Sequence, residues 1–115
     1  MRSVIFSPDA AEDIKELRDR LRLQFGHDKA KEHIDQLRSE IRNLRDHPEV
    51  GLATAARFGI ESEFLCAFLH HNYVFFTYDE QSTKIINIFD ERQDILWRMF
   101  HVRRPSFDSD GFMIR

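Results

Sequence analysis

The residues able to do chemistry are few and scattered: six histidines, one cysteine and a late run of arginines. His70-His71 suit acid–base work near neutral pH. Adjacent residues on a strand face opposite sides, however, so only one of the pair can line a site, and a polar strand end is the plainer role. Cys66, inside Phe64-Leu65-Cys66-Ala67-Phe68, reads as a small buried hydrophobe. His27, Asp28 and His33 straddle a turn into a helix, a poor geometry for a metal, so no metal or other cofactor is expected. Arg98, Arg103, Arg104 and Arg115 make the end of the chain basic. A solvated tail is the simple reading, and a contact with an anion or a target is the alternative.

The elements that position these groups follow from periodicity. Ala10, Ile14, Leu17, Leu21 and Phe25 fall on one face of a helix over residues 8–25, with Ser7 as N-cap and Pro8 at the first helical position. Asp28 is placed to cap a second helix, whose Ala30, Ile34, Leu37, Ile41 and Leu44 repeat until His47-Pro48 stops it. With only Gly26 and His27 between them, the two make an antiparallel hairpin. Residues 2–6 read as a leading strand, and 63–70, 73–78 and 84–89 as a meander. Residues 49–62 are left open between a connector and one helical turn, 94–100 suggest a short helix, and 101–115 a tail.

The fold class is therefore α+β, ordered β-α-α-β-β-β: a small antiparallel sheet packed against an N-terminal helical hairpin, with a short C-terminal helix. All 115 residues make one domain. In the last strand, strict alternation sends Ile85 and Phe89 to one face and Ile86 and Ile88 to the other. Apolar residues thus occur on both faces, and eleven phenylalanines exceed one small core, which suggests a surface for a partner chain. A net charge of −3 gives no long-range field favouring nucleic acid or anionic membranes. A lone cysteine, no apolar leader and no stretch long enough to span a membrane point to the cytoplasm.

Three pieces in order carry a family likeness: FSPDAAEDIKEL (6–17), IRNLRDHPEVG (41–51) and YVFFTYDEQSTKIINIFDERQD (73–94). Together, over roughly residues 3–97, they resemble the RelE/ParE superfamily of bacterial toxins from type II toxin–antitoxin modules. The resemblance implies one of two activities. RelE-like members cut messenger RNA on the ribosome with cations on the central strands, since negative charge develops on the phosphoryl oxygens. Here those strands carry none, and the candidates for a nuclease are Arg57, Lys84 and Arg92, with His71. ParE-like members poison DNA gyrase by binding it. The ParE-like branch fits better, although Gln93 stands where an arginine is usual and Asp90 where a histidine is common. On that reading Arg92, Arg98, Arg103 and Arg104 are candidate target contacts. The implied partner is a cognate antitoxin that wraps the toxin as a helix and an added strand, meeting residues among Phe64, Phe68, Phe75, Phe89, Leu17 and Leu21. A homodimer or a toxin–antitoxin hetero-oligomer is compatible with this, and a toxin-derived binding module without toxicity is the third reading.

Overall fold

The computed structural model describes residues 3–90, 95–101, 106–107 and 113–114. Strand β1 (Ser3–Phe6) leads into α1 (Pro8–Phe25) and α2 (His27–Asp46). After a 3-10 turn at Pro48–Val50 come β2 (Leu52–Ala53), α3 (Thr54–Phe58), β3 (Leu65–Leu69), β4 (Asn72–Tyr78) and β5 (Ser82–Asp90). Helix α4 (Ile95–Phe100) follows, then a minor pair, β6 (Ser106–Phe107) and β7 (Met113–Ile114). The main sheet runs β1-β5-β4-β3-β2, with β1 parallel to β5 and the other pairs antiparallel. The α+β order is as the sequence implies, and the segment left open resolves into the 3-10 turn, β2 and α3.

Helix α1 begins as its residues dictate. Ser7 Oγ accepts from the Ala10 N–H at 2.9 Å, and Pro8 occupies the first turn, where its missing donor is no loss. Asp28 does not cap α2. The capping position belongs to Gly26, without a side-chain bond, and Asp28 lies in the first turn near the positive end of the helix dipole. A single residue therefore turns the chain through the hairpin, and its φ of +89° is one that glycine adopts without steric penalty.

The hairpin stripe buries Ala10, Ile14, Leu17, Leu21, Ala30, Ile34, Leu37, Ile41 and Leu44 against Ala67, Val74, Phe76, Ile85 and Ile88 of the sheet. Ile85 and Ile88 share this face, contrary to strict alternation. The cause is a β-bulge: Phe76 pairs with Ile85 and Phe75 with Asn87, so Ile86 is an extra residue that resets the parity. Phe89 is thereby turned to the opposite face.

There a second core has formed. Cys66, Phe75, Phe89 and Ile95 are buried, and Phe58 from α3, Phe64, Tyr73, and Met99 and Phe100 from α4 pack around them. The phenylalanine surplus is thus largely absorbed by two short helices closing the far side of the sheet. Gly51 lets the connector run close over the sheet, since a Cβ there would come within 2.4 Å of the Phe76 ring.

The bulge also leaves backbone groups needing partners. Strand β1 pairs with Ser82–Ile85, so among the described residues no strand lies beside the outer edge of β5 beyond that point. Helix α1 takes over. The Ser7 N–H donates to the Ile85 carbonyl at 2.9 Å, Ser7 Oγ donates to the Ile86 carbonyl at 2.6 Å, and Asp13 Oδ2 accepts from the Ile88 N–H at 2.9 Å. Asn87 Nδ2 adds a donor to the same oxygen at 3.2 Å. Burial pushes the Asp13 carboxyl above its ordinary range and neighbouring Glu16 and Asp9 add to this, while the bonds from Ile88 and Asn87 oppose it.

Asp13→Ala is expected to lose about 1–3 kcal/mol in chemical denaturation, because the Ile88 N–H is left without its acceptor. Asp13→Asn keeps an acceptor and loses less. The unfolded carboxyl ionises near 3.8 and the folded one at a higher pH, so this group's contribution to stability declines as pH rises through that interval. The stability difference between wild type and Asp13→Asn should consequently shift in favour of the Asn variant from acid towards neutral pH. A difference that stays flat with pH would show that the carboxyl is not shifted.

Candidate functional site: a groove beside α4 and an open sheet edge

Two surfaces present groups able to bind another molecule. The first is a groove of about 470 Å³ between α1 and α4, with Asp9, Glu12, Asp13 and Glu16 on one wall and Trp97, Arg98 and His101 on the other. Asn87 and Phe89 also line it. The helix geometry explains the acidic wall: these four residues recur at spacings of three and one along the first three turns of α1, beside the buried stripe. On the opposite wall the Arg98 guanidinium lies 5.9 Å from the Phe89 ring centre, and the Trp97 and His101 rings meet edge to face at 5.6 Å. Trp97 remains 44% exposed, whereas Phe100 on the same helix packs against Phe58 and Phe75. The helix thus uses one ring as an anchor and presents the other to solvent.

The second surface is the free flank of β3. Strand β2 pairs with Leu65 and Cys66, so among the described residues no strand lies on the outer side of Ala67–Leu69. Phe68 sits there, 45% exposed, its ring 4.9 Å from Tyr73, and Leu52 and Val50 are exposed nearby in the chain that runs into β2. An uncovered edge with an exposed ring offers main-chain hydrogen bonds and an apolar anchor to an extended segment.

The residues nominated from sequence are dispersed by the fold. Arg57 stacks over Tyr73 at 5.4 Å, while Lys84 pairs with Thr77 and Ile5 at the far end of β5. By strand rise, Lys84 is roughly 15 Å from Phe89, the residue opposite Tyr73, so Arg57 and Lys84 do not converge. His71 is in the tight β3–β4 turn together with His70, at φ of 66° and 47°. The pair is therefore not a strand end, and the alternation argument does not apply to it. Arg92, Arg103 and Arg104 lie outside the described residues, and of the candidate target contacts Arg98 is placed in the groove just described.

Of the nominated partner contacts, Leu17 and Leu21 are instead sealed between helix and sheet, Phe75 is fully buried and Phe89 nearly so. Phe64 is half-buried and Phe68 exposed. Alternation alone had no way to sort them, because the bulge and the second core decide which rings are covered. Sequence reading also missed the acidic wall, although the spacing of Asp9, Glu12, Asp13 and Glu16 carried the signal. Cys66 is buried as expected, and desolvation pushes its thiol up to about 12, so it is inert as a nucleophile. Among the described residues no cluster of three or more His, Cys, Asp or Glu is arranged to hold a metal. No described helix is long and apolar enough to cross a membrane.

A family model described as the ParE toxin of the type II toxin–antitoxin system, parDE, matches residues 4–95. The chain belongs to the ParE toxin family. This ParE chain is also similar in fold to a solved structure of the chromosomal ParDE TA system from P. aeruginosa, with a TM-score of 0.66 at 16% identity. That likeness covers 78% of this chain and 96% of the other. No curated protein matches the sequence. The family match ends at the first residue of α4, so most of the groove's basic and aromatic wall lies beyond the matched span.

Phe75→Ala should destabilise this ParE chain by about 3–5 kcal/mol, the range for deleting a fully buried ring. Phe68→Ala should leave the thermal midpoint nearly unchanged. If both variants unfold to the same degree, Phe68 belongs to the core and the β3 flank is not an open surface.

Proposed function

We propose that this chain is the growth-inhibiting half of a two-component module, held inactive by a cognate antitoxin and acting, when free, by binding DNA gyrase. The family match over residues 4–95 carries the reading, since it supplies both the toxin role and the antitoxin partner. The dispersal of Arg57 and Lys84 favours a target that is bound over an RNA that is cut, because a phosphoryl transition state needs its cations gathered at one point.

In this reading the antitoxin places an extended segment along the β3 flank, with Phe68 as anchor and half-buried Phe64 at its margin. Arg98, exposed on α4, faces the target together with Arg92, Arg103 and Arg104. The module operates in the cytoplasm. The basic end of the chain is set against a negative whole, so the target contact is a local patch and not a general attraction to nucleic acid.

Induced expression without antitoxin should arrest growth, change plasmid topology and leave cellular mRNA uncut by primer extension. Arg98→Glu should relieve the arrest while the variant remains folded by circular dichroism. Phe68→Ala should weaken antitoxin binding at least tenfold in titration calorimetry, the loss expected when about 1.4 kcal/mol of contact is removed. Ribosome-dependent cuts in mRNA would replace gyrase by RNA as the target. Normal growth with intact RNA and DNA would leave a toxin fold that serves binding alone.

A further inference from the structure

The β3–β4 turn carries an unusual concentration of imidazole. His70 and His71 form its two central residues, both at positive φ, a conformation that fits the twist of a two-residue hairpin and that is uncommon outside glycine, though His, Asn and Asp adopt it more often than other residues. The His70 ring packs edge-on against His33 of α2 at 4.4 Å and lies 5.7 Å from His71. Between the turn and the helix sits Asn72, only 1% exposed.

Its carboxamide links the turn to the helix. Asn72 Nδ2 donates to the His70 carbonyl at 2.7 Å, which ties down the turn. Nδ2 also lies 3.2 Å from His33 Nε2, and because an amide nitrogen can only donate, the contact is a hydrogen bond in the state where His33 is neutral and Nε2 accepts. The Asn72 Oδ1 atom has no hydrogen-bond partner among the described residues.

We propose that His33, the His70-His71 turn and Asn72 form a proton-operated latch, closed when His33 is neutral and opened when its Nε2 takes up a proton. The proton occupies the lone pair that accepts from Asn72. The carboxamide then turns so that Oδ1 accepts from the new N–H, and the His70 carbonyl loses its donor. The turn is thereby freed from its internal tie, while Asn72 stays bonded to His33 and the sheet stays paired.

The surroundings set the range in which this happens. Burial lowers the His33 pKa from 6.5, and His70 and His71 lower it further, against an opposing pull from Asp90 on β5. Asp90 is itself 4.0 Å from Arg20 of α1, and His70 Nδ1 is 3.6 Å from Glu40 Oε2. Lys29, Glu32 and Asp35 of α2 line the open groove beside the rings. A lowered folded value means that the closed state holds at and above 6.5 and is lost as pH falls through the His33 value.

The test is an NMR titration of the full chain from neutral to acid pH, following the His33 ring and the Asn72 side-chain amide, which does not itself titrate. The His33 midpoint should lie below 6.5, and the Asn72 amide signals should move with that same midpoint. In His33→Gln, whose side-chain oxygen accepts without titrating, the Asn72 transition should vanish. An Asn72 amide that ignores pH, that follows a midpoint at or above 6.5, or that moves equally in His33→Gln overturns the latch. Should His33→Gln fail to fold, coincidence of the two wild-type midpoints decides the matter alone.

Discussion

Everything in this fold leans on the half of β5 beyond its pairing with β1, where a helix and not a described strand meets the edge. Strand β1 stops at Phe6, and without a substitute the Ile86 carbonyl and the Ile88 amide would be stranded at the margin of a buried layer. Ser7 answers twice with one hydroxyl, accepting from the first turn of α1 and donating to the bulge. Asp13, less than two turns later, answers the next amide. These contacts fix where α1 begins, how it is rotated and how far it lies from the sheet. The apolar stripe then falls onto Val74, Phe76, Ile85 and Ile88. Hydrophobic burial supplies most of the driving force, but it is nearly indifferent to small rotations, and the polar cap removes that freedom.

The same bulge divides the molecule into two cores of different character. The helix-facing core is mainly aliphatic and large, and the opposite one is small and mainly aromatic, with Phe75 contacting Phe58, Phe89 and Phe100 at centroid distances near 6 Å. Because α3 and α4 are each only a turn or so long, neither is stable alone, and both hold shape by setting rings against the sheet. Trp97 and Arg98 are therefore displayed by a helix whose position depends on Ile95, Met99 and Phe100 beneath it. Display surface and aromatic core are one structure.

Much of this was legible in the residues. Ser7-Pro8 announces a capped helix, the stripe from Ala10 to Leu44 gives the hairpin, and the β-branched and aromatic runs give the meander in the right order. Single-residue events were not legible. Nothing in Lys84-Ile85-Ile86-Asn87-Ile88-Phe89 marks Ile86 as the extra residue, since a bulge is set by pairing with β4. His70-His71 lacks the Asn-Gly signature of a tight hairpin, and the turn is imposed by the register of Leu69 against Asn72. Residues 49–62 form β2 and α3 only because β3 is there to receive them. Sorting Phe64, Phe68, Phe75 and Phe89 required knowing what covers the second face, and that cover comes from elements too short to carry a periodic signal.

The parallel pairing of β1 with β5 also has a meaning in time. Ser7 and the Ile86 carbonyl it bonds are 79 residues apart, so the contact that seats α1 cannot form until most of the chain has been made. At ordinary elongation rates that interval is roughly 4–16 seconds. Throughout it the helical hairpin, built from local contacts, can form early but has no sheet on which to lay its stripe. The nascent chain thus emerges as an amphipathic hairpin, a form that chaperones or a co-translated partner can grasp, and acquires its finished surface late in synthesis.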